Sequence, residues 1–193
     1  MRDALKEVIN IGVGQAAGML NDLLNHHIIL ELPQVSIINY RDLNQEFNDL
    51  GCTEVSAVKL QFRGALRGVS SLVFPPDSAS KLADLLLGEE YLSDDLDEIK
   101  IGTLSEIGNI VLNSVMGSFS NTFDTLLQYS IPVYYEGSVN SMLQLDAEQD
   151  TPVISAKTRF TVESQAIEGE IILFFELGSF DMLKDAINKA MAA

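Results

Sequence analysis

The stretch "LSEIGNIVLN" at residues 104–113 has a near-copy, "LKEVINIGVG", at residues 5–14. Each copy places a glutamate and an asparagine three positions apart among apolar residues, Glu7 with Asn10 and Glu106 with Asn109. Side chains three positions apart lie on one face of an α-helix. The repeated stretch therefore predicts two equivalent helices, each carrying a carboxylate and an amide one turn apart on an otherwise apolar helix.

The repeat extends beyond these two helices. Pro33 aligns with Pro132 at a shift of 99 residues, and Phe74 aligns with Phe175 at a shift of 101 after a short insertion. Both halves follow the same order of helix, extended segment, two strands and helix. We therefore interpret the chain as an internal duplication.

The duplication predicts the fold. Each half has too few strands to form a stable sheet alone, so the two halves are expected to share one sheet. We predict an α+β fold with a pseudo-two-fold axis, in which a continuous antiparallel sheet has helices packed on it. One domain, 1–193, would contain two repeats of about 1–97 and 98–193.

Hydrophobic periodicity predicts the individual elements. The run "EEYLSDDLDEIK" (89–100) is acidic and is expected to be a solvated linker. The expected helices are 2–26, 77–88, 99–124 and 178–192, and the expected strands or extended segments are 30–43, 54–63, 67–74, 131–142, 152–164 and 168–177.

Composition and charge restrict the function. The hydrophobic fraction of 47% is that of a globular protein, and the net charge of −16 disfavours nucleic acid and anionic membranes as direct partners. A protein partner with basic patches fits this charge better. The single cysteine, Cys52, excludes an intrachain disulfide. Without a targeting signal or an apolar run of membrane-spanning length, a cytoplasmic protein is expected and no membrane insertion.

The paired carboxylate and amide can do a particular kind of chemistry. A carboxylate accepts hydrogen bonds or pairs with an ammonium group, and an amide can orient a water molecule through its donor and acceptor. An amide is not a useful general base, so the pair suits hydrolysis of an already activated group such as an acyl phosphate. The alternative is that Glu and Asn are only a solvated surface that the duplication copied, and spacing alone leaves both interpretations open.

Other polar or small-residue motifs indicate structure rather than chemistry. His26 and His27 are adjacent and make a poor chelate, so we predict no metal site. They are expected to end the first helix. The segment "GVGQAAG" (12–18) lacks the Lys-Ser/Thr ending of a phosphate loop, and its small residues are expected to allow close helix packing.

The extended motif resembles the CheC/CheX/FliY family of bacterial chemotaxis phosphatases, above all its two-motif CheC form. The family pattern is Asp or Ser, three residues, Glu, two residues, Asn, twenty-two residues and Pro. The first copy here is complete, with Asp3, Glu7, Asn10 and Pro33 at these spacings. The second copy has Glu106, Asn109 and Pro132, but its first position is Gly102.

The resemblance implies a function for each of these residues. The substrate would be the aspartyl phosphate of a CheY-type response regulator, which brings its own Mg²⁺ and lysine, so that the chain needs no cofactor of its own. Glu7 and Glu106 would pair with that lysine and dock the helix, while Asn10 and Asn109 would orient the attacking water. Asp3 would assist binding or cap its helix.

A non-catalytic binding module is the alternative function. The same fold occurs in the flagellar switch, and family members bind regulators such as the CheD deamidase. Retention of both Asn10 and Asn109 favours activity, and the lack of an added domain in the sequence disfavours a switch component of the FliY type.

Overall fold

The computed structural model describes residues 2–39, 41–42, 53–64, 66–87, 96–122, 124, 126–142, 152–163 and 165–176. The expected closing helix 178–192 and Cys52 lie outside these ranges. Among the described residues, no helix is long and apolar enough to cross a membrane.

Four helices and eight strands follow one another along the described chain. The helices are α1 (Arg2–Leu24), α2 (Pro76–Leu87), α3 (Leu96–Thr122) and α4 (Val139–Met142). The strands are β1 (Ile28–Leu30), β2 (Gln34–Asn39), β3 (Glu54–Gly64), β4 (Gly68–Phe74), β5 (Leu127–Tyr129), β6 (Val133–Ser138), β7 (Pro152–Val162) and β8 (Ile167–Glu176).

All eight strands form one antiparallel sheet with the order β1-β7-β8-β4-β3-β5, to which β2 is added beside β7 and β6 beside β3. Strands β1 and β2 of the first half thus pair with β7 of the second half, and β5 and β6 pair with β3 of the first half. The predicted continuous antiparallel sheet is confirmed.

The centre of the sheet locates the pseudo-two-fold axis. Strands β4 and β8 are neighbours, and Ser71 lies opposite Ile172. These two residues are 101 positions apart, which is the shift that aligns Phe74 with Phe175. Ser71 and Ile172 are therefore equivalent positions, and the axis passes between them. The origin of this symmetry in a duplication, and the division at residues 97 and 98 within one domain, stay predictions.

The sheet separates two apolar clusters because alternate side chains of a strand point to opposite faces. The larger cluster joins the sheet to α1, α2 and α3, and includes Ile9, Val58, Leu82, Val111 and Phe175. The smaller cluster on the other face packs around Met142 of α4, with Val55, Val73, Val153 and Phe174. The motif helices α1 and α3 consequently lie on one face of the sheet, where they also contact each other.

Both motif helices are followed by a residue in the left-handed conformation. Asn25 (φ 52°) follows α1, and Asp124 (φ 46°), 99 residues later, follows α3. Such a residue stops a helix, and Asn and Asp tolerate this conformation better than other side chains except glycine. His26 lies at the end of α1, as predicted, with its Nδ1 2.7 Å from the carbonyl oxygen of Leu24.

The structure corrects three expectations. Helix α3 begins at Leu96, inside the acidic run expected to be a linker, and residues 139–142 form the short helix α4 instead of continuing an extended segment. The small residues of segment 12–18 are expected to allow close helix packing. Gly12 fits this expectation, but Gly14 and Gly18 do not, since a β-carbon on either would meet no atom within 4 Å.

Candidate functional site

Helix α1 presents the first motif on its outer side, because other residues of the helix supply the apolar side chains that face the sheet. Val8, Ile9 and Val13 are buried against the sheet, whereas Glu7 and Asn10 are exposed. Neither polar side chain has a hydrogen-bond or ion-pair partner among the described residues. A carboxylate and an amide are therefore both open to an incoming molecule on one helix face.

Helix α3 presents the second motif in the same way, with one difference. Glu106 is exposed and Asn109 is half-buried, while Leu104, Ile107 and Val111 are buried in the core. The side chain of Asn109 has a partner within the helix, because Nδ2 of Asn113 donates a 2.6 Å hydrogen bond to Oδ1 of Asn109. The two motifs are thus similar in position and different in hydrogen bonding.

The first positions of the two motifs differ as the sequence indicates. Asp3 lies in the first turn of α1, and its side chain lies outside what the structure describes. Gly102 lies in α3, is exposed, and has no atom within 4 Å of the place where a β-carbon would stand. The described residues therefore supply no substitute for the missing Asp or Ser at this position.

The surface beside the first motif is open and partly apolar. Ile11, next to Asn10, is 44% exposed; Met19, further along α1 and on another side of the helix, is 49% exposed. Gly14 and Gly18 add no side chain to this surface. Sequence reasoning missed the exposure of Ile11 and Met19, since helical spacing alone does not identify which apolar side chains meet the core.

Close packing fixes the position of α3. A β-carbon on Gly108 would stand only 2.4 Å from Cβ of Val58 in β3, so the backbone of α3 lies directly on that strand. Helix α1 contacts α3 through Gly12, whose β-carbon would stand 3.1 Å from Cβ of Ser118. The hydroxyl of Ser118 also donates a 2.7 Å hydrogen bond to Oε1 of Gln15. Glu106 and Asn109 flank Gly108 and are therefore held by a rigid contact.

A second polar cluster lies on the other face of the sheet. Glu170 is 2% exposed and accepts a 3.1 Å hydrogen bond from Nη2 of Arg159 on the neighbouring strand. This hydrogen bond, more than any other interaction, raises the pKa of Arg159 above its ordinary value. The pair lines a cavity of about 310 Å³ together with Glu31 and Lys157. Because Lys157 and Arg159 share a face of β7 with Val153, this cavity is separated from the motif helices by the sheet.

Metal ligands were not expected at the site. Within the part of the chain that the structure describes, no three His, Cys, Asp or Glu side chains lie close enough together to hold a metal ion.

Known proteins resemble this chain in sequence, and solved structures resemble it in fold. Residues 1–37, which contain the first motif, match the CheC-like family. The chain is 29% identical over 133 residues to the CheY-P phosphatase CheC of Bacillus subtilis (strain 168), covering 67% of this chain and 63% of that protein. It is 28% identical over 133 residues to the flagellar motor switch phosphatase FliY of the same strain, covering 68% of this chain and 34% of that protein. The match thus spans less than two thirds of the length of either curated relative.

Solved structures with the same fold have lower sequence identity. FliY of Thermotoga maritima superposes with a TM-score of 0.77 at 20% identity, covering 98% of this chain and 96% of that chain. A chain of the CheX-CheY-BeF3-Mg+2 complex of Borrelia burgdorferi gives a TM-score of 0.60 at 17% identity, covering 87% of this chain and 96% of that chain. A chain of the FliG-FliM complex of H. pylori gives 0.66 at 12% identity, covering 91% and 92%. Together these matches confirm the predicted resemblance to the CheC/CheX/FliY family.

Proposed function

We propose that this chain, a relative of the CheC, CheX and FliY proteins, accelerates hydrolysis of the aspartyl phosphate on a CheY-type receiver domain. One observation carries the proposal. In both halves a helix that packs apolar side chains against the sheet also carries a glutamate and an asparagine three positions apart, outside its buried side and at equivalent positions.

The chemistry of an aspartyl phosphate suits these two side chains. The phosphoryl group is an activated electrophile, so its hydrolysis needs a correctly placed water more than a strong base. The carboxamide of Asn10 or Asn109 would hold that water through its donor and acceptor groups. Glu7 or Glu106 would pair with the receiver's lysine and fix the helix against the receiver. Mg²⁺ would come with the receiver.

The surface around the first motif supports docking of a protein. Ile11 offers exposed apolar area beside Asn10, and Gly14 and Gly18 leave the helix surface low enough for another backbone to approach. The net charge of −16 would favour a partner whose docking face is basic. Asp3, one turn before Glu7, would add negative charge at the same end of the helix.

The relatives support the same activity by their names. One is a CheY-P phosphatase and another a flagellar motor switch phosphatase, and a CheX of the same fold occurs in a complex with CheY. We infer two sites per chain, of which the first has the complete motif. The second, with Gly102 at its first position, would rely on Glu106 and Asn109 alone.

The test is the decay of phosphorylated CheY in Mg²⁺ with and without this protein. The variants are Asn10→Ala, Asn109→Ala and the double variant, and Asn121→Ala is the matched control. Asn121 is an exposed asparagine on α3, twelve residues and roughly 18 Å beyond Asn109 along the helix axis. We expect the wild type and the control to accelerate decay equally, each motif variant to lose part of the acceleration, and the double variant to lose all of it.

A non-catalytic docking module is the second candidate, because the same fold occurs in a chain of the FliG-FliM complex. Under this candidate the wild type would bind the receiver without accelerating decay, and Asn10→Ala would leave binding unchanged. We also propose a CheD-type deamidase as a partner. It would either bind the docking module or regulate the hydrolysis. Both candidates assume the cytoplasmic location expected from the sequence.

A further inference from the structure

The two motif asparagines differ in what holds their side chains. Oδ1 of Asn109 accepts a 2.6 Å hydrogen bond from Nδ2 of Asn113, one helical turn further on. At the position equivalent to Asn113, 99 residues earlier, the first half has Gly14. Gly14 has no side chain to donate, and Asn10 has no partner among the described residues.

The hydrogen bond restricts a motion that is otherwise free. The terminal torsion of an asparagine side chain has a broad, roughly two-fold energy profile, so an unpartnered carboxamide samples many orientations. A donor on Oδ1 of Asn109 selects one of them, and the half-buried position of Asn109 restricts the side chain further. One lone pair of Oδ1 and both Nδ2 hydrogens stay available for a water and a phosphoryl oxygen.

We propose that Asn113 is a positioning residue of the second site, which orders the carboxamide of Asn109 before a receiver docks. This inference rests on the proposed function. The side chain of Asn10 must be ordered after docking, when it positions the attacking water, whereas that of Asn109 is already ordered. In the second site, the ordered carboxamide of Asn109 would offset the missing Asp or Ser at Gly102. The two sites of one chain would therefore reach their active geometry differently, one with a complete motif and the other with an ordered asparagine.

The variant Asn10→Ala isolates the second site and serves as the background for the test. In it, Asn113→Ala should lower the maximal rate of CheY dephosphorylation by about two- to tenfold, because immobilising one side chain costs about that factor and the carboxamide must be immobilised when it holds the water in the transition state. The KM for phosphorylated CheY should be unchanged, because Glu106 still docks the helix. Asn113→Gln keeps a donor on a longer side chain and should retain most of the rate. A purely structural role would instead change helix content or KM.

The reciprocal experiment places the same hydrogen bond in the first site. Gly14 is exposed and a β-carbon there would meet no atom within 4 Å, so Gly14→Asn starts from open space. In an Asn109→Ala background, Gly14→Asn should raise the maximal rate by a similar factor. An unchanged or lower maximal rate would count against preorganisation by this residue.

The outcomes separate this inference from the proposed function. If CheY of Bacillus subtilis and of Borrelia burgdorferi both decay at the same rate with and without the wild-type protein, the proposed function fails and the inference fails with it. If the wild type is active and Asn10→Ala is inactive, or Asn113→Ala has no effect or raises the rate, only the inference is overturned.

Discussion

Replacing Gly108 by alanine tests whether the backbone of α3 lies directly on the sheet. The added β-carbon would stand 2.4 Å from Cβ of Val58 and 2.5 Å and 2.8 Å from its two methyl carbons. Carbon atoms pack favourably at about 3.5–4.0 Å, so the helix and strand must separate by roughly 1 Å. Overpacking of this kind lowers the unfolding free energy by about 1–3 kcal/mol. The better helix propensity of alanine offsets at most ~1 kcal/mol of this loss.

The matched control is Gly117→Ala on the same helix, where a β-carbon would meet no atom within 4 Å. This variant should stabilise the protein by about 0.4–1 kcal/mol. Relative to it, Gly108→Ala should therefore lose about 2 kcal/mol of unfolding free energy, which for a chain of this size corresponds to roughly 4–8 °C in Tm. Thermal unfolding followed by circular dichroism measures both variants against the wild type.

The same displacement should affect the second site, since Glu106 and Asn109 flank Gly108. A misplacement of about 1 Å can reduce a rate by on the order of 10²-fold. Under the proposed function, Gly108→Ala in the Asn10→Ala background should therefore remove most of the remaining CheY dephosphorylation, whereas Gly117→Ala should leave it unchanged. Equal stability of the two glycine variants would refute the close contact between α3 and Val58.

Three further predictions concern charge and backbone conformation. Burial lowers the pKa of Lys59, whose Nζ donates a 2.7 Å hydrogen bond to the carbonyl oxygen of Met142. Between that lowered pKa and the ordinary value of 10.5 the unfolded chain binds more protons, so the unfolding free energy of the wild type relative to Lys59→Met should rise with pH in that window. Denaturant titrations of both proteins at increasing pH measure this, and a constant difference would contradict it. Asn25→Ala should destabilise the protein by about 1 kcal/mol, because alanine tolerates φ 52° poorly. Asn25→Gly should be nearly neutral, and equal Tm values for the two variants would count against this. Under the proposed function, Glu7→Gln in an Asn109→Ala background removes an exposed ion pair with the receiver. It should raise the KM for phosphorylated CheY by about two- to fivefold with little change in the maximal rate. A lower maximal rate at constant KM would assign Glu7 to the chemical step.

The elements of this fold follow from local sequence patterns, but their arrangement does not. Alternating apolar residues predict β3 and β4 within one residue at either end, and helical spacing predicts α1 within two. Which strands pair is decided by contacts between distant segments, such as Ile28 with Val162, and no local pattern contains that information. The repeat predicted one shared sheet because it indicated that neither half has enough strands to form a stable sheet alone.

The candidate site shows the same division between what was predictable and what was not. Spacing placed Glu7, Asn10, Glu106 and Asn109 on outward faces, and exposure agrees for all except Asn109, which is half-buried. The spacing of four residues permits the hydrogen bond from Asn113 to Asn109, but spacing alone does not show that it forms, because it also depends on side-chain torsions. Close packing at Gly108 was missed since its equivalent in the first half is the large residue Ile9.

The exchange of strands between the halves limits how this chain can change during evolution. Val58, which packs against Gly108 of the second half, belongs to the first half. Among the described strands, β5 and β6 pair with β3 alone. If one motif lost its activity, the half that contains it could not be deleted, since the other half would lose its sheet partners. Loss of one motif is therefore expected through substitution of exposed residues that leave the core intact, and Gly102 occupies such a position. A protein of this fold could therefore keep both halves of its sheet during evolution while only one of its two motifs stays functional.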